Sequence, residues 1–490
     1  MTQDTNTAAK TGSAAISTAR PPRPVTFWEQ YRRKPQGMVG LAIVLVYVLA
    51  AVFAPYITPY NPMEDMYLAD RLAAPAWIGK VNPKYQDWPA TSRNIIAEKD
   101  WHVEQDGGAT ISKTEFDRGA GVDISIPARA EGEGSGDGVV LSYGMKYAYQ
   151  PPQTFSAKFD YTVDAPDDAV TKVRLEMISP DGTTHDLWDA AVNGSQGESP
   201  AIADARDFDM KMRMGLSFFD DPATVVFSQK GDYLLRFLVS SESPSGPASV
   251  RISPVTFEIL GLLHGVLGTD HMGSDLWAQL IYGTRLALII GLASAFISVA
   301  IGTTVGIVSG YVGGALDEFL MRLVDVLLSI PDLPILIVLG ALFGKSLLNV
   351  VIIVSAFAWM GIARIIRSQT LTLKERTFIE AARASGASGN YIMAAHILPN
   401  VTPLIFANLV LRIPGAILTE AALSFLGLGD PRVPTWGRML QNARQFGAFT
   451  ELAWWWLLPP GFALTFLSLA FVFIGNTVNE VLNPRYRERS

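Results

Sequence analysis

Few of the residue types that carry enzymatic chemistry are arranged to perform it in this chain. Its five histidines, His102, His185, His264, His271 and His396, are scattered, and none makes a ligand spacing such as His-x-x-x-His. There is no cysteine, which removes disulfides, thiolate metal sites and cysteine nucleophiles together. No Walker-type phosphate loop occurs, so ATP is not expected to bind this chain, and no Gly-x-Ser-x-Gly turn in its acidic middle section marks a hydrolase. The chain is therefore read as non-catalytic, with no cofactor or metal site of its own. What remains is recognition chemistry in residues 375–400, built on Glu380-Ala381-Ala382, Gly386 and Ile397-Leu398-Pro399. Phe378, Ala381, Ala382 and Ser385 fall at helical spacing, so a short helix presents one compact face. Small Ala and Ser side chains let another protein approach closely, and Phe378 can anchor it. Gly386 suits the end of that helix, because glycine accepts backbone angles other residues avoid. Tyr391–Leu398 resumes helical apolar spacing, and Pro399 suits a first helical turn. Glu380 has two readings, a contact to a partner or a charge stabilising the positive helix N-terminus.

The elements that hold this segment are long and apolar. Met38–Ile57 runs about 20 residues without a charge, enough to cross a bilayer as one helix. Further spans are expected at Leu286–Val308, Phe319–Phe343, Leu347–Ile366, Val401–Leu423 and Trp454–Val478. Arg32, Arg33 and Lys34 before the first span, and Arg364, Arg367, Lys374, Arg376 and Arg383 around residues 375–400, place both on the cytoplasmic side. Six spans then put the N- and C-termini inside. Asp332, in Pro331-Asp332-Leu333-Pro334, falls within the third span. A carboxylate at that depth either marks a pathway or satisfies backbone groups opened by the two prolines. Asp317, Glu318, Arg322 and Asp325 read as an interfacial or inter-subunit charge set, Asp275 as a helix N-cap, and Trp454, Trp455 and Trp456 as an aromatic belt.

Between the first two spans lies a section of different composition. Residues 80–258 hold 28 acidic against 17 basic residues, a net of −11 in a chain whose total is −7. No basic soluble module is present, which argues against a nucleic-acid partner. Phe155, Ala157, Phe159, Tyr161 and Val163 alternate with more polar neighbours, as do Val173, Leu175 and Met177, and Asp181-Gly182 and Lys230-Gly231-Asp232 supply turns. A mainly-β, sandwich-like domain is expected over 76–262, with Trp77, Trp88, Trp101 and Trp188 in its core and residues 103–138 rich in loops. The divisions are then a disordered tail at 1–25, an N-terminal segment and first span at 26–75, the insertion at 76–262, and a membrane domain at 263–490.

The segment 375–400 resembles the "EAA" loop of permease subunits in ATP-binding-cassette (ABC) importers. The chain around it is similar to the second permease of the dipeptide/oligopeptide/nickel branch. The matching stretches are Asn61-Pro62, Leu68–Leu72, Leu267–Asp275, Ile281–Arg285, Glu420–Gly429, Pro434–Gly437 and Asn483-Pro484-Arg485. The resemblance covers about 38–75 and 264–490. It departs in two places: Ser274 stands where arginine is common, and the insertion replaces a usually short linker. It implies the six-helix type I ABC importer permease fold in a bacterial or archaeal plasma membrane, with the insertion periplasmic or extracellular. It implies a homologous permease, two ATPase subunits that bind ATP and magnesium, and an extracytoplasmic substrate-binding protein as partners. On the same basis Phe378, Glu380, Ala381, Ala382, Ser385, Gly386, Ile397, Leu398 and Pro399 form the coupling site to the ATPases. Di- or oligopeptides are the implied substrate, with nickel complexes, glutathione and oligosaccharides as alternatives. Two readings of other classes compete. An ion-coupled secondary transporter needs ion sites and commonly repeated halves, which are not seen. A membrane-anchored receptor needs one span and leaves five unexplained. For the insertion, docking the binding protein, guiding substrate and bracing the partner permease all stay open.

Overall fold

The computed structural model describes residues 26–105, 108–128, 138–243 and 245–482. The expectations for 1–25 and for Asn483-Pro484-Arg485 lie outside them. Helix α1 (Pro35–Val52) starts with proline in its first turn, where the missing N–H is no loss, and Lys34 just before it pairs with Glu480. The chain re-enters the apolar layer at α2 (Leu276–Val312), whose N-cap Asp275 accepts from Ala278 N at 2.6 Å as expected. There follow α3 (Gly314–Ser329), α4 (Asp332–Phe343), α5 (Leu347–Lys374), α6 (Thr377–Ala384), α7 (Leu398–Phe425), α8 (Trp436–Gln445) and α9 (Trp454–Leu482). Among the described residues five helical stretches, one of them Gly389–Phe425, are each long and apolar enough to span a membrane, and α3 with α4 makes a sixth if counted as one span.

That sixth span is not the straight Phe319–Phe343 helix expected. Its halves meet at 89°. Pro331 has no N–H for a helical bond and drives the preceding Ile330 to extended angles (φ −84°, ψ 129°), so the first half ends there. The charges that open the span are intramolecular. Arg367 of α5 grips Asp317 with two bonds of 2.6 Å, Ser309 also donates to Asp317, Arg364 pairs with Asp325, and Glu318 pairs with Arg322 one turn on. Each of these four residues thus has a partner within the chain.

Helices α2 and α5 pack most closely. Gly302, Gly306 and Gly310 line one stripe of α2, and a β-carbon on them would come within 2.6 Å of Trp359 O, 2.7 Å of Ala363 O and 2.8 Å of Thr370 Cβ. Lipid tails are as apolar as leucine, so contact between spans depends on this close fit.

Outside the helices, twelve antiparallel strands among the described residues form two facing sheets. They are β1 (Ser92–Ile96), β2 (His102–Gln105), β3 (Thr110–Phe116), β4 (Gly119–Ile126), β5 (Val139–Tyr147), β6 (Thr154–Asp164), β7 (Val170–Ile178), β8 (Thr184–Asn193), β9 (Gln196–Asp204), β10 (Gly231–Glu242), β11 (Ala248–Ile252) and β12 (Val255–Leu260). One sheet runs β1-β12-β6-β11-β4-β3, with β9 also on β6; the other runs β2-β5-β10-β7-β8. The alternating residues Phe155, Phe159, Leu175, Phe237 and Phe257 point into one buried core between them.

Three expectations change here. The stretch expected to be loops contains β2, β3 and β4, because Ile111, Val122, Ile124 and Ile126 alternate inward despite the surrounding glycines and charges. Trp101 and Trp188 pack on the sandwich core, but Trp88 joins the cluster of the membrane helices and Trp77 lies beside Trp454, 6.1 Å between rings. Residues 74–91 thus sit on the helical base, where Ala74-Pro75 pairs in parallel with Leu263-His264. Lastly, Trp455 and Trp456 are buried among helices, leaving only Trp454 facing outward.

Candidate functional site

Helix α6 is eight residues long and lies between the ends of two spans. Ile379 anchors it, fully buried with Ile392, Ile397, Ile362 and Ile366. The opposite side stays open: Phe378, Glu380, Ala381 and Ser385 are exposed and Ala382 half-buried. Ser385 Oγ donates back to Ala381 O at 2.9 Å, which keeps that hydroxyl from projecting.

Gly386 ends the helix with φ +86°. Its N–H donates to Arg383 O at 3.0 Å and that of Ala387 to Ala382 O at 3.1 Å, the two bonds of a Schellman cap. Ser388 then caps the next turn from its side chain. Residues Met393–Ile397 form one wide turn leading into α7. Pro399 follows in the first turn of α7; having no N–H, it cannot complete an ordinary turn onto Ala395.

The nine residues named for coupling do not share one surface. Phe378, Glu380, Ala381, Ser385 and Gly386 are exposed together, whereas Ile397 is core and Leu398 and Pro399 are exposed at the base of α7. Glu380 lies in the first turn, but Arg376 holds the N-cap position and no side-chain cap bond forms there. Two neighbours were missed by sequence reasoning. Tyr391 and His396 bring rings to the same exposed side, with His396 6.4 Å from Phe378 and 5.7 Å from Tyr391. Their helical spacing from the glycine turn was the available signal.

A second group lies at membrane depth. Asp332 opens α4 at the bend and lines a cavity of about 270 Å³ together with Ser294, Ser298, Arg412 and Thr419. Among the described residues Asp332 accepts no hydrogen bond from the backbone around the two prolines. Arg412, one of two charged residues with Glu420 inside the span expected at Val401–Leu423, was overlooked although its place in an apolar run was signal enough.

Just before α2, Asp270 gathers the amides of Met272 and Ser274 at 2.8 and 3.0 Å and Gln279 Nε2 at 2.7 Å. Beside it His271 stacks on Phe446 at 3.6 Å. Burial holds His271 below its ordinary pKa, Asp270 opposing and Arg438 adding to the effect. Asp70 nearby is pushed up to about 6, chiefly by burial.

Residues 302–488 match the family described as binding-protein-dependent transport system inner membrane component, and residues 25–75 match the N-terminal transmembrane domain of oligopeptide transport permease C. An oligopeptide transport system permease protein of Haemophilus influenzae is 42% identical over 221 residues, 45% of this chain and 70% of that relative. The chain belongs to this permease family. A glutathione transport system permease protein of Pectobacterium atrosepticum is 37% identical over 222 residues, covering 45% of the chain and 73% of the relative. An inward-facing structure of the MetNI methionine ABC transporter covers 42% of the permease and 98% of its own chain at 21% identity, with a TM-score of 0.35. That superposition is too loose to bear on the fold. The two family models leave residues 76–301 of the permease between them, the sandwich included.

Proposed function

We propose that this permease is the membrane subunit of an ATP-driven importer of di- or oligopeptides. In this reading it forms the translocation pathway with a homologous permease. Two ATPase subunits engage α6 from the cytoplasm and bind ATP and magnesium, while a binding protein delivers substrate from outside. Both termini are cytoplasmic and the sandwich is extracytoplasmic. The chain itself performs no hydrolysis.

One observation carries the reading: an eight-residue helix, pinned by Ile379 and stopped by Gly386, exposes Phe378, Glu380, Ala381 and Ser385 between two spans. A rigid element of that size can pass a push from a soluble motor to α5 and α7 without bending. Peptide substrates rest on the oligopeptide and glutathione permeases among the relatives, glutathione being itself a tripeptide.

Purification of the tagged chain from its native membrane in mild detergent should retain a second permease and ATPases. Gly386→Pro, which cannot hold φ +86°, or Glu380→Lys should insert normally yet lose stimulated ATPase activity at least tenfold. Recovery of the chain alone after crosslinking, or normal stimulation in both variants, would refute the assignment.

A further inference from the structure

The cavity behind the bend of α3 and α4 is built from five helices, and its polar groups are left open toward the middle. Arg412 of α7 is half-buried there. Its guanidinium lies over Gly361 of α5, where an added β-carbon would come within 2.7 Å of Arg412 Nη2; the missing side chain makes the berth. Among the described residues this guanidinium forms no hydrogen bond or ion pair, and Asp332 acts on it only as a nearby opposite charge. Ser294 Oγ on α2 lines the same cavity, is fully buried, and has no hydrogen-bond partner. Ser298 differs, since its hydroxyl donates to Ser294 O at 2.6 Å.

An arginine inside a span is costly, and cost of this kind is normally offset by closing an ion pair. Here the two charges share one cavity without closing on each other, and a buried hydroxyl beside them stays unused. Donor, acceptor and opposite charges are thus set apart inside a space of about 270 Å³. A zwitterion fits this arrangement: a planar carboxylate can take two bonds from the guanidinium fork, and an ammonium can be held by the carboxylate.

We propose that Arg412 and Asp332, with Ser294, form a transit site that receives the free C-terminal carboxylate and N-terminal ammonium of a short peptide in the membrane. This rests on the peptide-importer reading and adds to it the part of the peptide that the permease itself contacts.

The test uses the assembled transporter in proteoliposomes, with trialanine, its C-terminal amide and its N-acetyl derivative supplied at concentrations that saturate the binding protein. Each variant is compared with wild type on the same peptide, so selectivity of the binding protein cancels. Arg412→Gln should lower trialanine uptake at least tenfold and uptake of the amide less than twofold. Asp332→Asn should do the same for trialanine while sparing the N-acetyl peptide, and Arg412→Lys, which keeps the charge but loses the fork, should lower trialanine uptake by less than Arg412→Gln does. Equal losses on all three peptides, or no loss on any, would overturn the transit site while leaving the importer intact. Wild-type transporter that takes up none of the three would overturn the peptide reading and this site with it.

Discussion

In the sandwich, Phe155, Phe159, Phe227, Phe237 and Phe257 are each at most 1% exposed; in the helices, Phe296 and Phe319 are 66% and 65% exposed. At these positions the same side chain is hidden by protein in one region and offered outward in the other. Around β6 and β10 water is the alternative, so aromatic rings are drawn inside and stack, as Phe155 does on Phe257 at 5.9 Å. Around α2 and α5 the alternative is lipid, and burying a large apolar group gains little. The helices instead meet through Gly302, Gly306 and Gly310, while the polar groups lie between them at Ser298, Arg412 and Asp332. The helices bury Trp436, Trp455 and Trp456 as well, so the difference is sharpest at the α2–α5 contact, where small residues set the closest approach.

Three changes press on this contrast. Phe257→Ala opens a cavity under β12 and should destabilise the sandwich by about 4 kcal/mol. Hydrogen exchange on the whole chain should accelerate in β6 and β12 while α2 and α5 keep their protection; acceleration in the helices as well would show that the two cores are not separate. Gly306→Leu should cost about 3 kcal/mol by forcing α2 away from the Ala363 carbonyl, with the opposite exchange pattern. If it melts in detergent at the wild-type temperature, close backbone approach does not hold the bundle.

The smallest effect concerns the junction. Asp70 is buried beside Thr269, with Arg71, Arg206 and Asp221 as its charged neighbours, and its folded pKa is about 6. A carboxyl whose pKa is raised on folding binds its proton more tightly in the folded state. Its stabilising share is therefore full below the ordinary carboxylate range and is lost as pH rises through about 6. Asp70→Asn should remove this dependence and raise stability at pH 7 by on the order of 2 kcal/mol. Thermal melts of both proteins from pH 4 to 7 should diverge upward in pH; parallel curves would mean that water reaches Asp70.

Much of the molecule is written locally. Uncharged runs of span length, the alternation of Phe155–Val163, the N-cap at Asp275 and the glycine stop at Gly386 each depend on neighbours within a few residues, and each is legible as sequence. Other features have causes far along the chain. Pro331 announces a break, but not its 89° angle or that α3 pairs with α5 through Asp317–Arg367 and Asp325–Arg364. That Trp88 belongs with the helices and Trp101 with the sheets depends on which surface residues 74–91 fold back upon. Residues 375–400 divide in the same way. Their spacing announces a helix, but Ile397 becomes an anchor and Phe378 stays exposed only because the ends of α2 and α5 supply a crevice on one side. Arg412 is visible as a charge inside an apolar run, yet its partners come from four other helices. By itself the sequence determined which segments are apolar enough to lie in the membrane, strands as regular as Phe155–Val163 and the helix stop at Gly386, because hydropathy and backbone preference act over a few residues. Tertiary structure alone decided which charges meet and which stay apart, because burial is a property of surfaces brought together from distant parts of the chain.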